Sequence, residues 1–119
     1  MKGTYRELVV WQKAHALTLE IYRITKDFDS SEKFGLTSQM RRAAVSIELN
    51  IVEGKFRNTA KEFSQFLFTS RASNQEVHCL LLICKDLNMI QEHTYEEITR
   101  SCDEIGKMLN GLIKSIRNE

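Results

Sequence analysis

The chain has 119 residues, with 17 Lys and Arg against 16 Asp and Glu, and no Pro. That length suits one domain with a real core. A net charge of +1 excludes a general polycation drawn to nucleic acid or anionic membrane by bulk charge. With 42% hydrophobic and 28% charged residues the balance is that of a soluble globular protein. The lack of Pro removes the commonest helix interrupter.

The periodicity predicts four helices. The first spans about Tyr5 to Phe28, where Val10, Ala14, Leu17, Ile21, Ile24 and Phe28 recur at alternating steps of four and three. Leu8, Trp11, Leu19 and Tyr22 widen that stripe. Asp29, Ser30 and Ser31 then stop the helix, and Gly35 can close the turn. The second helix is expected from about Thr37 to Gly54, on a seam of Met40, Ala44, Ile47 and Ile51. Thr59 with Glu62 is a capping box for the third helix, which should reach about Met89. Its inner face is read as Phe63, Phe66, Leu67, Ser70, Asn74, Val77, Leu81, Cys84 and Asn88. Thr94 with Glu97 reads as a second capping box, opening a fourth helix through Ile98, Cys102, Ile105, Leu109, Leu112 and Ile116. Four helices with short connections predict an all-α, antiparallel up-down four-helix bundle, a single domain over residues 1–119. The surplus apolar surface of the first helix, at Tyr5, Val9 and Trp11, needs a cover. A second subunit can supply it, as can neighbouring helices and the Lys33–Phe34 turn.

Charge is unevenly placed. Residues 1–30 sum to +1, residues 31–71 to +3 and residues 72–119 to −3. A basic middle and an acidic end suit an anionic partner, docking of one subunit on another, or merely solvated faces. The three cysteines include no C-x-x-C, and Cys79 and Cys84 lie in the longest apolar run, of six residues. They read as small core side chains in a reducing compartment, and the run is far too short to span a membrane. The N-terminus lacks the apolar core of a signal peptide, so the expected setting is cytoplasmic.

The segment SIELNIVEGKFR, residues 46–57, raises the functional question. It sets Asn50 and Glu53 beside the buried seam. Arg42, Ser46, Asn50, Glu53 and Arg57 follow steps of four, four, three and four, a polar stripe along one side of the helix. In a hairpin Ser70, Ser73, Asn74 and Glu76 would lie near it. A half-buried amide or carboxylate needs a partner, so Ser46, Asn50, Glu53 and Glu76 are expected to form a polar network that fixes helix register. The alternative is an anion site built from Arg41, Arg42, Lys55, Arg57, Lys61 and Arg71. On one face these would track a phosphate backbone for about 24 Å, with Phe56 the single aromatic available for stacking.

Catalysis finds little support. A di-iron bundle needs Glu-x-x-His pairs, which His15, His78 and His93 do not supply, so no metal or other cofactor is implied. Glu76 and His78 do not share a helix face. A Glu53–Glu76 carboxylate pair depends wholly on tertiary contact. No Gly-rich phosphate loop or nucleophile elbow is present.

Three stretches carry a resemblance: YRELVVWQKAHALTLEIY, FGLTSQMRRAAVSIELNIVEG and EFSQFLFTSRASNQE. Together they resemble the bacterial proteins encoded within 23S ribosomal RNA intervening sequences. The resemblance runs from Tyr5 to about Leu112, and Asn50, Glu53, Gly54 and Glu76 stand at signature positions of that family. It departs at Asp29 and Glu48, where the family usually has Pro, and at Ala72, where it tends to have Gly. The resemblance implies a four-helix bundle assembled as a ring-like homopentamer. The chain is also similar to the accessory variability protein of diversity-generating retroelements, a basic pentameric barrel associated with nucleic acid and a reverse transcriptase. The resulting expectation is a non-enzymatic oligomer that binds RNA, DNA or a nucleic-acid enzyme through the second helix and the turn after it. A protein-interaction scaffold without nucleic-acid contact is the alternative.

Overall fold

The computed structural model describes residues 4–117; residues 1–3 and 118–119 of the expected domain lie outside the described part. Four helices follow one another: α1 (Val9–Thr25), α2 (Leu36–Lys55), α3 (Ala60–Asp86) and α4 (Glu92–Arg117). Each packs on its sequence neighbours and α4 closes on α1, while the backbones of the diagonal pairs stay apart. This is the antiparallel up-down bundle that short connections favour. The molecule measures 46 × 22 × 22 Å, as expected for helices of up to about 40 Å packed four to a square.

The start of α1 differs from expectation. Tyr5–Glu7 forms a separate single turn, and Leu8 is extended (φ −75°, ψ 121°). No side chain caps α1. Instead the Gln12 amide donates back to the Arg6 carbonyl at 2.8 Å, fixing the angle of entry. Trp11 is half-buried between Tyr5 and His15, whose ring centroids lie 4.9 and 4.8 Å away. Tyr5 is half-buried too, and only Val9 of that expected surplus is exposed. The Lys33–Phe34 turn covers nothing, since Phe34 is 90% exposed.

Thr59 caps α3 as expected, its Oγ1 accepting from the Glu62 amide at 3.1 Å, but the Glu62 carboxylate reaches back to the Thr59 hydroxyl, at 3.2 Å, rather than to the Thr59 backbone amide. The second expected box does not form. Tyr95 N already bonds Gln91 O at 3.0 Å, so Thr94 lies inside the first turn of a helix that begins at Glu92. Asn88 is no inner-face residue. It takes φ 60°, with its amide on Lys85 O at 2.9 Å and the Met89 amide on Cys84 O at 2.8 Å. That is a left-handed helix stop in which Asn stands where Gly is commonest.

The core is continuous along the bundle. Leu17 and Ile21 meet Met40, Ile47 and Ile51, then Leu67, Val77 and Leu81, then Ile105 and Leu109, all essentially buried. Each such side chain contributes about 1.5–3 kcal/mol by leaving water. On α4 the inner stripe passes through Ile113 rather than Leu112, which is half-buried. Cys84 and Cys102 are buried, but Cys79, expected in the core, faces solvent. Among the described residues no helix is long and apolar enough to cross a membrane.

Candidate nucleic-acid interface

The α2–α3 seam places the polar stripe. Small side chains let the helices approach closely. A Cβ at Gly54 would stand 2.8 Å from Phe63 Cδ1, 3.0 Å from Phe66 Cβ and 3.1 Å from the Phe63 carbonyl oxygen. Within that seam the Ser46 and Ser73 hydroxyls share a hydrogen bond at 2.8 Å. Asn50 Nδ2 donates to the Ser46 carbonyl and hydroxyl at 2.8 and 3.0 Å. Ser70 Oγ donates to the Ile47 carbonyl at 2.8 Å. These bonds use capacity that would otherwise be left unmet at a partly dry interface, where an orphan costs about 1–3 kcal/mol.

Two expected members of the network lie apart from it. Glu53 is exposed and pairs with Arg57 at 2.6 Å, whose guanidinium sits 4.7 Å from the Phe66 ring centre. Glu76 is exposed, without a hydrogen-bond or ion-pair partner among the described residues. It stands ten residues beyond Phe66 on α3, about 15 Å along the helix, so Glu53 and Glu76 do not form a pair. Asn74 belongs to the other seam. Its Nδ2 donates to the Cys102 carbonyl on α4 at 2.9 Å, and its Oδ1 is buried without a partner.

The six basic positions divide into separate groups. Arg41 turns toward α1, donating from Nε to Thr25 Oγ1 at 2.9 Å and lying 4.4 Å from the Tyr22 ring centre. Arg71 turns toward α4, donating to Asn110 Oδ1 at 2.9 Å. These two seams lie on opposite sides of the bundle. Arg42 is exposed near the start of α2. Lys55, Arg57 and Lys61 gather around the α2–α3 turn, with Phe56 72% exposed between them. Arg42, Lys55 and Lys61 have no ion-pair partner among the described residues.

Two features escaped the sequence reading. Charge is segregated along α4: residues 92–104 hold five carboxylates and one Arg, whereas residues 105–117 hold Lys107, Lys114, Arg117 and no carboxylate. The reversal falls within residues 72–119, whose net charge is −3. The antiparallel path returns Lys114 and Arg117 beside the beginning of α3, where Lys61 lies. Second, α2 carries an outer apolar stripe. Leu49 and Phe56 are 54% and 72% exposed, and Val45 and Val52 are half-buried between them. The steps from Val45 through Leu49 and Val52 to Phe56 are four, three and four, the signature of a second helix seam. Leu19 and Tyr22 of α1 are exposed as well.

The remaining titratable groups in the core are thiols. Burial pushes Cys84 up to about 11 and Cys102 up to about 12, helped by the carboxylates of Glu32 and Asp103 respectively. Cys84 contacts Met40 sulfur at 3.4 Å. Among the described residues no group of three or more His, Cys, Asp or Glu is placed to hold a metal ion.

No curated protein matches this chain significantly. Its fold is similar to a crystal structure of a protein with unknown function from the S23 ribosomal protein family of Bacteroides thetaiotaomicron VPI-5482. The TM-score is 0.83 at 26% identity, covering 89% of this chain and 96% of the other. The profile of the 23S rRNA-intervening sequence proteins matches residues 6–111, which is most of the described bundle. The chain belongs to the 23S rRNA-intervening sequence protein family.

Proposed function

We propose that the protein is a non-enzymatic, self-associating bundle that binds structured RNA or DNA, or an enzyme acting on nucleic acid, through a basic surface. The observation that carries this reading is the gathering of Lys55, Arg57 and Lys61 around the α2–α3 turn, with Lys55 and Lys61 unpaired among the described residues. Unneutralised cations at one end of a rigid rod favour phosphate through release of its counterions. Oligomerisation multiplies that charge. The resemblance read from the sequence implies a ring of five subunits, and buried thiols accord with a reducing, cytoplasmic setting.

The outer stripe of α2 favours a second reading, an oligomeric protein-interaction scaffold. A covered apolar stripe serves either role, so charge decides between them. The double change Arg42→Glu with Arg57→Glu is expected to abolish retention on a polyanion column at low salt. Unchanged retention would contradict nucleic-acid binding by this surface. Co-purification of a defined protein partner at high salt would favour the scaffold.

A further inference from the structure

The α3–α4 seam near the end of α4 holds a groove whose chemistry differs from every other part of the surface described above. Phe68 is half-buried there. The Arg71 guanidinium lies 4.9 Å from its ring centre, and that of Arg117 lies 5.8 Å away. Arg71 is braced across the seam by Asn110 at 2.9 Å, so it is oriented without being neutralised. Two adjoining hollows, of about 320 and about 430 Å³, meet at Phe68 and Arg117. Lys61 and Gln65 line the first, and Asn110 and Lys114 line the second. Among the described residues no carboxylate lines either hollow. The contrast is with the α1–α4 hollow at the other end, where Glu20, Glu97, Asp103 and Glu104 stand among Arg23, Arg100 and Lys107.

Four cations therefore share one groove, with no carboxylate of the described residues in its lining. Ordinary protein surfaces intersperse the two signs, whereas a cleft lined by one sign focuses its field on an anion. From Lys61 to Arg71 it runs about 15 Å along α3, the reach of several phosphates in a strand with a charge every ~3.4 Å of axis. Both guanidiniums lie over the Phe68 ring, which backs them as planar surfaces for an unpaired base, a contact that a duplex with its bases paired cannot make and a single strand can.

We infer that this groove binds a single-stranded phosphodiester chain, with its backbone on Lys61, Arg71, Lys114 and Arg117 and a base stacked on the guanidiniums that Phe68 backs. The inference rests on the nucleic-acid reading above but moves the contact from α2 to the α3–α4 seam. The test uses the full chain with labelled single-stranded RNA, single-stranded DNA and a blunt duplex of equal length, each titrated at low and physiological salt. Lys114→Glu with Arg117→Glu should weaken single-strand binding at least about tenfold and lower the salt slope by about two. Lys114→Ala, an exposed change that leaves the core intact, should weaken it in the same direction. Phe68→Leu keeps most of the packing volume and should weaken binding several-fold with the salt slope unchanged. Binding of either single strand with these losses supports the groove, and the preferred sugar identifies the natural strand. If the α4 variants bind as the wild type while Arg42→Glu with Arg57→Glu does not, the groove is overturned and the nucleic-acid reading stands. A blunt duplex that outcompetes both single strands also overturns it. No binding of any of the three at low salt overturns the groove and the nucleic-acid reading together.

Discussion

Ser46 and Ser73 meet hydroxyl to hydroxyl at 2.8 Å across the α2–α3 seam, and Asn50 donates to Ser46 from one turn further along. The pair fixes the register of two long helices at a half-buried level where a slip would strand both groups. Ser46→Ala and Ser73→Ala should each lower stability by about 1 kcal/mol. The double mutant should lose less than the sum, because the second change removes a group already orphaned. Glu53→Ala should cost no more than about 0.5 kcal/mol, since its pair with Arg57 is exposed. Denaturant unfolding of the four variants checks this, and additive Ser losses would contradict it.

Gly54 is required by the closeness of α3. Helix propensity alone would favour Ala there by about 1 kcal/mol. The added Cβ would press on Phe63 and Phe66, including the Phe63 backbone. Gly54→Ala is therefore expected to destabilise by about 1–3 kcal/mol. Gly111, where an added Cβ meets nothing within 4 Å, is the control. Its change to Ala should stabilise by up to about 1 kcal/mol. Thermal melts of both proteins decide the matter.

How much of this was legible follows from where the information lies. The stripe from Val10 to Ile21 and the seam from Met40 to Ile51 repeat within single helices, so periodicity revealed them. The Thr59–Glu62 cap was legible because both partners are local. Thr94 misled because its spacing to Glu97 copies a cap while the helix had already begun at Glu92. The groove at Phe68 joins residues from two helices whose facing sides no linear pattern records. The outer stripe from Val45 to Phe56 was hidden because α2 is apolar on two sides, and periodicity alone does not say which side faces the core. The pairing of Ser46 with Ser73 needed the register of the hairpin.

The thiols supply a pH dependence. Cys84 and Cys102 are raised to about 11 and about 12 in the fold. A raised folded value means the native state holds its proton more tightly than the unfolded chain. The stabilisation is complete below the unfolded value near pH 8.5 and is lost as pH rises toward 11 and 12. Native protein at pH 8 should thus show one fast-reacting thiol toward a disulfide reagent, the exposed Cys79, and three after unfolding. Three fast thiols in the native state would contradict the buried placement.

Self-association through the outer face of α2 is tested by charge. Leu49→Glu with Phe56→Glu alters only exposed positions, so helicity should be kept. If the stripe is the contact between subunits, solution mass should fall from the oligomer toward the 13.8 kDa chain. An unchanged oligomer mass would place the contact elsewhere.

The most direct measurement is a titration of labelled structured RNA with the purified protein at low and physiological salt, with solution mass determined on the same sample. The account predicts an oligomer that binds at about micromolar concentration or tighter, with affinity falling steeply as salt rises. An oligomer that binds at neither salt would contradict the nucleic-acid function and leave the scaffold.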